Sequence, residues 1–424
     1  MKDEKDQAIE AIRKKLVGKK LTYDEIYAVM DEIAHNRLGD VLTTYFTASG
    51  YSKGFSNEEL YFLTKAMVET GERLEFKGII ADKHSIGGVP GTRTTLIIVP
   101  IVAAAGFTIP KSSSRAITSP DGTADDMEVL SKVEFTREEI YEIVKKTNGC
   151  IVWGGSFHIA PADDVMIHVE RELTFESYDK IIVSIMAKKV AFGSNHVVID
   201  LPFGKTVKVH RYEDAEVLKK KFEYIAHKFD IHLKVLIHET NEPVGRGIGP
   251  ILETRESLRV LEQTPDRPID LEERSLRLAG ALLDLCIAKH IHEEKIKGQF
   301  GDGYGWAKHL LTTGKAWEKM KDIIQAQGGD NKVTSSILTS KLGNYCRQIT
   351  ASNSGSIKTI DSKNLTVIAR ILGAPNQKGS GIFLNKKINE PFKKGELLYT
   401  LYSESMYNMR EALESLNHFP FITI

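Results

Sequence analysis

Two polar clusters carry the residue types that an oxyanion site needs. The first reads Asp82-Lys83-His84-Ser85-Ile86-Gly87-Gly88-Val89-Pro90-Gly91-Thr92-Arg93-Thr94-Thr95. The second reads Ser112-Ser113-Ser114-Arg115-Ala116-Ile117-Thr118-Ser119-Pro120-Asp121-Gly122-Thr123. Lys83 offers a cation, Ser85, Thr94 and Thr95 offer hydroxyls, and the glycines at 87, 88 and 91 let backbone N–H groups approach an anion. The second cluster repeats this chemistry with hydroxyls, one Arg and Gly122-Thr123. Between them the apolar run Leu96 to Phe107 reads as a buried helix, whose first turn adds unpaired N–H groups and a positive dipole end. Neither a Walker A loop nor a GxGxxG fingerprint is present. Either cluster alone would read as a turn or a polar surface loop; two flanking one buried helix favour an anion site.

The surrounding elements set where such a site can sit. Residues 1–74 read as a small all-helical domain. Thr22 with Glu25 and Ser56 with Glu59 are capping-box patterns, each ahead of an apolar helical stripe. Ile79 to Ala81 read as a short buried strand, and residues 77–155 alternate strand and helix, with a further box at Thr136 and Glu139. Residues 157–189 return to a helical pattern after a turn at Ala160 to Asp164 and rejoin the helical domain. Residues 195–340 resume the α/β domain through strands at Val197–Asp200 and Leu233–Ile237. Pro243 to Pro250, glycine-rich for close backbone packing, then leads into a helix ending near Gln263. Residues 344–424 read as a C-terminal α+β subdomain, with strands expected at Val367–Arg370 and Ile382–Leu384. The fold class expected is α/β, with a mainly parallel sheet in the large domain. In such sheets ligands gather beyond the carboxyl ends of strands, where both clusters fall.

Composition narrows the function classes. Lys plus Arg and Asp plus Glu both number 57, so the formal net charge is zero. That argues against a nucleic-acid surface built on bulk charge. The three cysteines, Cys150, Cys286 and Cys346, are far apart and suit reduced core positions in a cytoplasmic protein. The polar start is no signal peptide, and no apolar run is long enough to span a membrane.

The first cluster resembles the phosphate loop, DKHS-x-GG, of the thymidine phosphorylase family of nucleoside phosphorylases. Ser113-Ser114-Arg115 followed by Gly122-Thr123-x-Asp125-x-x-Glu128 is similar to that family's signature. The wording SSRAITSP-x-GTAD and DKHSIGGVPG-x-RTT is closer still to the archaeal-type AMP phosphorylases, also called nucleoside-monophosphate phosphorylases. The likeness extends over nearly the whole chain. It implies phosphorolysis of an N-glycosidic bond, with inorganic phosphate as a substrate and no metal or organic cofactor. It also implies a homodimer through the helical domain, and a segment 157–189 that faces the phosphate across a cleft.

Position by position, the resemblance places Lys83, Ser85, Ser113 and Thr123 at phosphate-binding places, with Thr94 where another hydroxyl donor is usual. His84 matches a histidine near sugar and base, and Ser184 and Lys188 match base-binding residues. In the AMP enzymes the nucleotide is contacted by the stretch Ser114, Arg115, Ala116, Ile117, Thr118 and Ser119, with Gly88, Thr123, Ser184 and Lys208. A proton-donating carboxylate stands eight positions before the serine, here Glu176. A sugar 5′-phosphate would need further cations and hydroxyls, for which Arg93, Thr94, Arg115, Thr118 and Ser119 are candidates. These features imply that AMP or a related nucleoside 5′-monophosphate is converted to free base and ribose 1,5-bisphosphate. A pyrimidine nucleoside phosphorylase, a phosphoribosyltransferase such as the anthranilate enzyme, and a non-catalytic nucleotide-binding protein are the alternatives.

Three departures stand out. Glu176 replaces a usual Asp, and a shift near 1 Å of a catalytic group can cost about a hundredfold in rate. Asp121 stands where a small residue is usual, and would repel phosphate unless it turned outward or paired with Arg115. Asp126 replaces a usual Thr. The AMP enzymes also carry a domain ahead of the helical one. The likeness here begins without it, as in a short natural or truncated form, and assemblies that depend on that domain are not expected.

Overall fold

A computed structural model describes residues 4–116, 119–157, 159–171, 177–288 and 292–424. The chain opens with helices α1 (Glu4–Leu16), α2 (Tyr23–Ala34), α3 (Asp40–Lys53) and α4 (Asn57–Glu69). Then come β1 (Ala81–Ser85), α5 (Thr95–Ala104), β2 (Ile109–Ser113), α6 (Thr123–Met127), α7 (Arg137–Thr147) and β3 (Gly149–Trp153). After these come α8 (Pro161–Arg171), α9 (Tyr178–Ala191), β4 (His196–Phe203), α10 (Tyr212–Lys228) and β5 (His232–Glu239). Next are β6 (Gly247–Ile248), α11 (Pro250–Glu262) and α12 (Ile269–Ile287), and helices predominate to Thr339. Among the described residues, no helix is long and apolar enough to cross a membrane.

The fold is mixed α/β and divides into two compact units. One comprises residues 1–84, 154–197 and 216–233; the other comprises 85–153, 198–215 and 234–424. The chain passes between them within β1, after β3, and within β4, α10 and β5. Residues 216–233, which the sequence pattern left in the α/β domain, fall in the helical unit. Their attachments explain this: Lys221 pairs with Asp179 of α9, and Phe229 packs against Tyr61 of α4.

In the helical unit local signals act as expected. Thr22 and Ser56 both form complete capping boxes with Glu25 and Glu59. Ile26, Val29, Met30 and Ile33 of α2 then bury one face of that helix, and Leu60, Leu63 and Met67 do the same for α4. Glu59 does more than cap: it receives the buried Lys15 ammonium at 2.8 Å. Helix α8 begins at Pro161, so the turn read at 160–164 is the first turn of a helix with proline where no N–H is needed.

In the second unit α5 is buried along its whole length from Thr95 to Ala103, as the apolar run demanded. It lies beside β2 and β3, which pair in parallel from Ile109 opposite Gly149 to Ser113 opposite Trp153. Strands β1, β4 and β5 form a three-stranded sheet in that order. β1 starts at Ala81, later than the apolar residues suggested, so Lys83, His84 and Ser85 stand on the strand itself. β5 is only partly buried, not the core strand its composition suggested.

Gly91 has a positive φ, and a Cβ there would lie 2.0 Å from the Val244 carbonyl oxygen. The 243–250 segment thus packs backbone to backbone on the first polar cluster at Gly91, while Gly245, Gly247 and Gly249 make room for Glu256, Leu252 and Ser380.

The C-terminal stretch has its own core around Ile357, Leu365, Ile368, Leu384, Leu401 and Phe421. Strands at Gly381–Leu384, Leu397–Ser403 and Tyr345–Thr350 join β6 in an antiparallel sheet. Residues 367–370 are not a strand but part of the helix Ser362–Ile371. Asp361 caps that helix by accepting from Lys363 N and Asn364 N, and Leu365, Ile368 and Ala369 fall on one buried face. The β-branched pair Val367-Ile368 suggested a strand; the cap and the helical spacing prevail. Cys150 and Cys286 are buried, but Cys346 is exposed on its strand, against expectation, because the edge strand Tyr345–Thr350 is open to solvent except at Ile349. Asp361→Ala is expected to lower the unfolding free energy by roughly 1 kcal/mol, read from urea denaturation.

Candidate active site

The candidate residues are placed in both units. Lys83, His84, Ser184 and Lys188 belong to the helical unit; Ser85, Gly88, Thr94, Ser113 to Ala116, Ser119, Thr123 and Lys208 belong to the α/β unit. Ile117, Thr118 and Glu176 lie outside the described residues.

In the α/β unit the second cluster is a tight brace. Asp125 Oδ2 accepts from Ala116 N at 2.7 Å and from Gly122 N at 2.9 Å. Ala124 N donates to the Ser114 carbonyl, and a Cβ on Gly122 would meet that oxygen at 2.4 Å. The brace folds the end of β2 against the first turn of α6. Ser113 Oγ is buried and has no hydrogen-bond partner among the described residues. A buried hydroxyl without a partner is costly unless something else occupies it.

The first cluster adds to this unit. Ser85 Oγ donates to Asp200 Oδ2 at 2.6 Å. Lys208 lies over the glycines, its backbone N 3.0 Å from where a Gly88 Cβ would be. Thr94 is buried at the start of α5, where its carbonyl accepts from Ile97 N and Ile98 N.

Arg93 corrects the sequence reading. It is withdrawn from any 5′-phosphate role, because its guanidinium is locked to Asp121, Asp126 and Glu253. Asp121 thus turns inward to Arg93, not to Arg115, and cannot face a phosphate. The three carboxylates are fully buried, with oxygens within 4.8 Å of one another. One guanidinium cannot balance three buried negative charges, so protons must. Burial pushes Asp126 and Glu253 well above the ordinary carboxylate range, against the pull of Arg93.

Arg115 is half-buried and shared among carboxylates. It holds Glu128 at 2.7 Å and Glu134 at 2.9 Å, with Asp125 at 3.4 Å, and stacks over Trp153. Lys378 holds Glu128 from the other side at 2.9 Å. Arg115 first, and Lys378 after it, hold Glu128 down at about 2. Arg115, Asp125, Glu128 and Lys378, with Ala116, Pro375 and Asn376, line a pocket of ≈ 290 Å³. Ser119 donates to the Asp121 carbonyl, and its own carbonyl accepts from Arg370.

In the helical unit Ser184 and Lys188, one turn apart on α9, converge on Asp163 of α8. Ser184 Oγ and Lys188 Nζ each approach Asp163 Oδ2 at 2.7 Å. Burial opposes the charge on Asp163, but Lys188 prevails and holds it below its ordinary value. A similar buried acid, Asp82, takes Lys189 at 2.5 Å and Ser194 at 3.2 Å. Lys83, next along the strand, is buried, and His84 half-buried. Sequence reasoning missed Asp82, Asp163 and Asp200 as supports. Their signal was an acid following an apolar strand run or in the first turn of an amphipathic helix, since a buried charge demands a partner.

The Arg93 cluster gives a pH dependence. The folded state keeps protons on Asp126 and Glu253 at pH values where the unfolded chain, with ordinary carboxylates, has released them. Their contribution to stability is therefore present below the ordinary carboxylate range and is lost as pH rises through the raised values. Unfolding free energy should fall as pH rises from the ordinary carboxylate range through the raised values, at up to about 1.4 kcal/mol per pH unit for each proton released. Asp126→Asn, a fixed mimic of the protonated acid, should flatten that slope; an unchanged slope would show that the protons sit elsewhere.

Comparison with known proteins gives the family. The glycosyl transferase family's helical bundle domain matches residues 9–71 and its a/b domain matches 77–317. The C-terminal domain of pyrimidine nucleoside phosphorylase matches 356–419. AMP phosphorylase 1 of Archaeoglobus fulgidus is 40% identical over 414 residues, which is 97% of this chain and 79% of that protein. A Legionella pneumophila (strain Corby) protein provisionally named a thymidine phosphorylase is 40% identical over 411 residues, 97% of this chain and 76% of the other. Anthranilate phosphoribosyltransferase from Thermus thermophilus shares the fold, with a TM-score of 0.62 at 17% identity, over 75% of this chain and 99% of that one. The chain accordingly belongs to the glycosyl transferase family whose helical-bundle and α/β domains it carries, as a pentosyltransferase of the nucleoside phosphorylase type.

Proposed function

We propose that the protein phosphorolyses AMP, and other nucleoside 5′-monophosphates, to free base and ribose 1,5-bisphosphate. The observation that carries the phosphate half of this reading is the brace: Asp125 holds the 113–116 turn against α6 and leaves the buried Ser113 hydroxyl without a protein partner among the described residues. Ser85, Thr94, Thr123 and Lys83 are its companions in this assignment. A phosphate oxygen forms a bond to the anomeric carbon while the bond from that carbon to the base nitrogen breaks. Fixed donors hold the nucleophile in place, and positioning of this kind is worth several kcal/mol. The phosphate charge also stabilises an oxocarbenium-like transition state. The departing base takes a proton, assigned here to Glu176, with His84 near the sugar and base. Ser184 and Lys188, aimed by Asp163, are assigned to the base. No metal or organic cofactor enters this chemistry.

The nucleotide preference rests on the SSRAITSP and RTT wording and on relatives named AMP phosphorylase. In this reading the 5′-phosphate lies in the pocket beside Arg115 and Lys378, with Gly88, Ser114, Ala116, Ser119 and Lys208 toward the rest of the nucleotide. It competes there with Glu128. A second reading, a pyrimidine nucleoside phosphorylase, draws support from the neutralisation of Arg93, which removes one cation from the 5′-phosphate candidates.

Purified protein given phosphate and AMP should release adenine, followed chromatographically; adenosine or thymidine turning over far faster than AMP would select the second reading. Arg115→Ala should lower kcat/KM for AMP by roughly tenfold, the worth of a charge-assisted contact, and spare adenosine. Equal losses on both substrates would remove Arg115 from the 5′-phosphate.

A further inference from the structure

We infer that Asp200 sets the anion site to accept a protonated oxyanion: it takes the Ser85 hydrogen, so Ser85 Oγ can only accept, and the bound phosphate donates its own P–OH there. This rests on the assignment of Ser85 to the phosphate. Ser85 closes β1, and Asp200 stands on the neighbouring strand β4. Their oxygens are 2.6 Å apart, the separation of a hydroxyl donating to a carboxylate. A serine hydroxyl has one hydrogen, and an ionised carboxylate has none to give.

The surroundings keep Asp200 ionised. The carboxylate is fully buried, and Arg274 of α12 donates to its two oxygens at 3.2 and 3.1 Å. His238 on β5 brings Nδ1 to 3.3 Å of Oδ1. Burial first, and then Arg274, push His238 below its ordinary value, so the guanidinium rather than an imidazolium supplies the countercharge. Ile86 N donates to the Asp200 carbonyl at 2.9 Å, which fixes the backbone register of the pair. Hydroxyl and carboxylate are therefore locked from three adjacent strands and one helix, by residues that all fall in the α/β unit.

Near neutral pH inorganic phosphate keeps a hydrogen on oxygen and sulfate keeps none. A lone pair of Ser85 facing sulfate oxygen leaves two acceptors opposed, whereas phosphate supplies the missing hydrogen. The contact also aims the protonated phosphate oxygen at Ser85 and leaves the unprotonated oxygens for the sugar carbon. Asp200 is a positioning residue in this scheme, since it acts through Ser85.

Calorimetric titration of the full chain near neutral pH with inorganic phosphate and with sodium sulfate tests this. Sulfate should bind at least about tenfold more weakly than phosphate, the cost of one unmet hydrogen bond. In Asp200→Asn the amide can donate to Ser85 Oγ and return its hydrogen to the ligand, so the ratio should close to within about threefold. A merely structural role for Asp200 would weaken both anions alike and keep the ratio. Wild-type protein that binds the two anions equally would overturn the proposal whether or not the variant folds. Ser85→Ala separates the two levels of the argument. Phosphate affinity untouched by it would refute the site assignment itself. Phosphate weakened by it, with the ratio unmoved in Asp200→Asn, would refute only the role of Asp200.

Discussion

Three buried carboxylates hold groups that are assigned to substrate. Asp200 holds Ser85, Asp125 holds the amides on either side of the second loop, and Asp163 holds Ser184 and Lys188. A buried carboxylate tolerates only a small set of geometries, because each unmet lone pair or charge costs free energy in a dry interior. Burial that would otherwise destabilise therefore orders the donors. Hydroxyls and ammonium groups that would wander on a surface are given one direction each, and preorganised donors of this kind serve catalysis because they need not reorganise as charge moves.

The same rule explains the chain's departures from its family. Asp121 looked like an obstacle to an anion loop, and Asp126 was a further departure. They are instead the inner shell of Arg93, joined from α11 by Glu253, and none of their charge reaches the loop surface. The arrangement takes Arg93 out of ligand chemistry and makes it a tie between the loop, the start of α5 and α11. Ion pairs this deep are weak sources of stability but strong penalties when broken. The loop is accordingly fixed by what would be lost if it moved, not by a large net gain.

What could be read from the sequence divides by range. The boxes at Thr22, Ser56 and Thr136 are complete within four residues, so the helices they start were legible, as was the helix buried between the two clusters. Asp361, Ser362 and Leu365 offered the same kind of signal, yet Val367 and Ile368 were read for their β-branching and the helix was missed. The loop motifs were legible because they are contiguous. Their supports were not: Ser85 and Asp200 are 115 residues apart, and nothing local in Val-Val-Ile-Asp says which hydroxyl the acid will face. The inward turn of Asp121 was hidden for the same reason, since Glu253 and Arg93 meet it only in the folded chain.

The choice between nucleotide and nucleoside turns on charge balance, not on shape. Arg115 and Lys378 are well placed beside the second loop, but Glu128 lies between them and is ionised at any ordinary pH. Asp125 and Glu134 add to the negative side. A 5′-phosphate entering this pocket must displace carboxylate contacts that already satisfy both cations, so its binding is an exchange rather than a new ion pair. Exchange of this kind gives little affinity, because what the phosphate gains Glu128 loses unless it swings to solvent. Glu128 is partly exposed, which lets it do so, whereas the carboxylates around Arg93 are sealed. The difference in burial between these two acidic clusters decides which arginine can still serve a ligand.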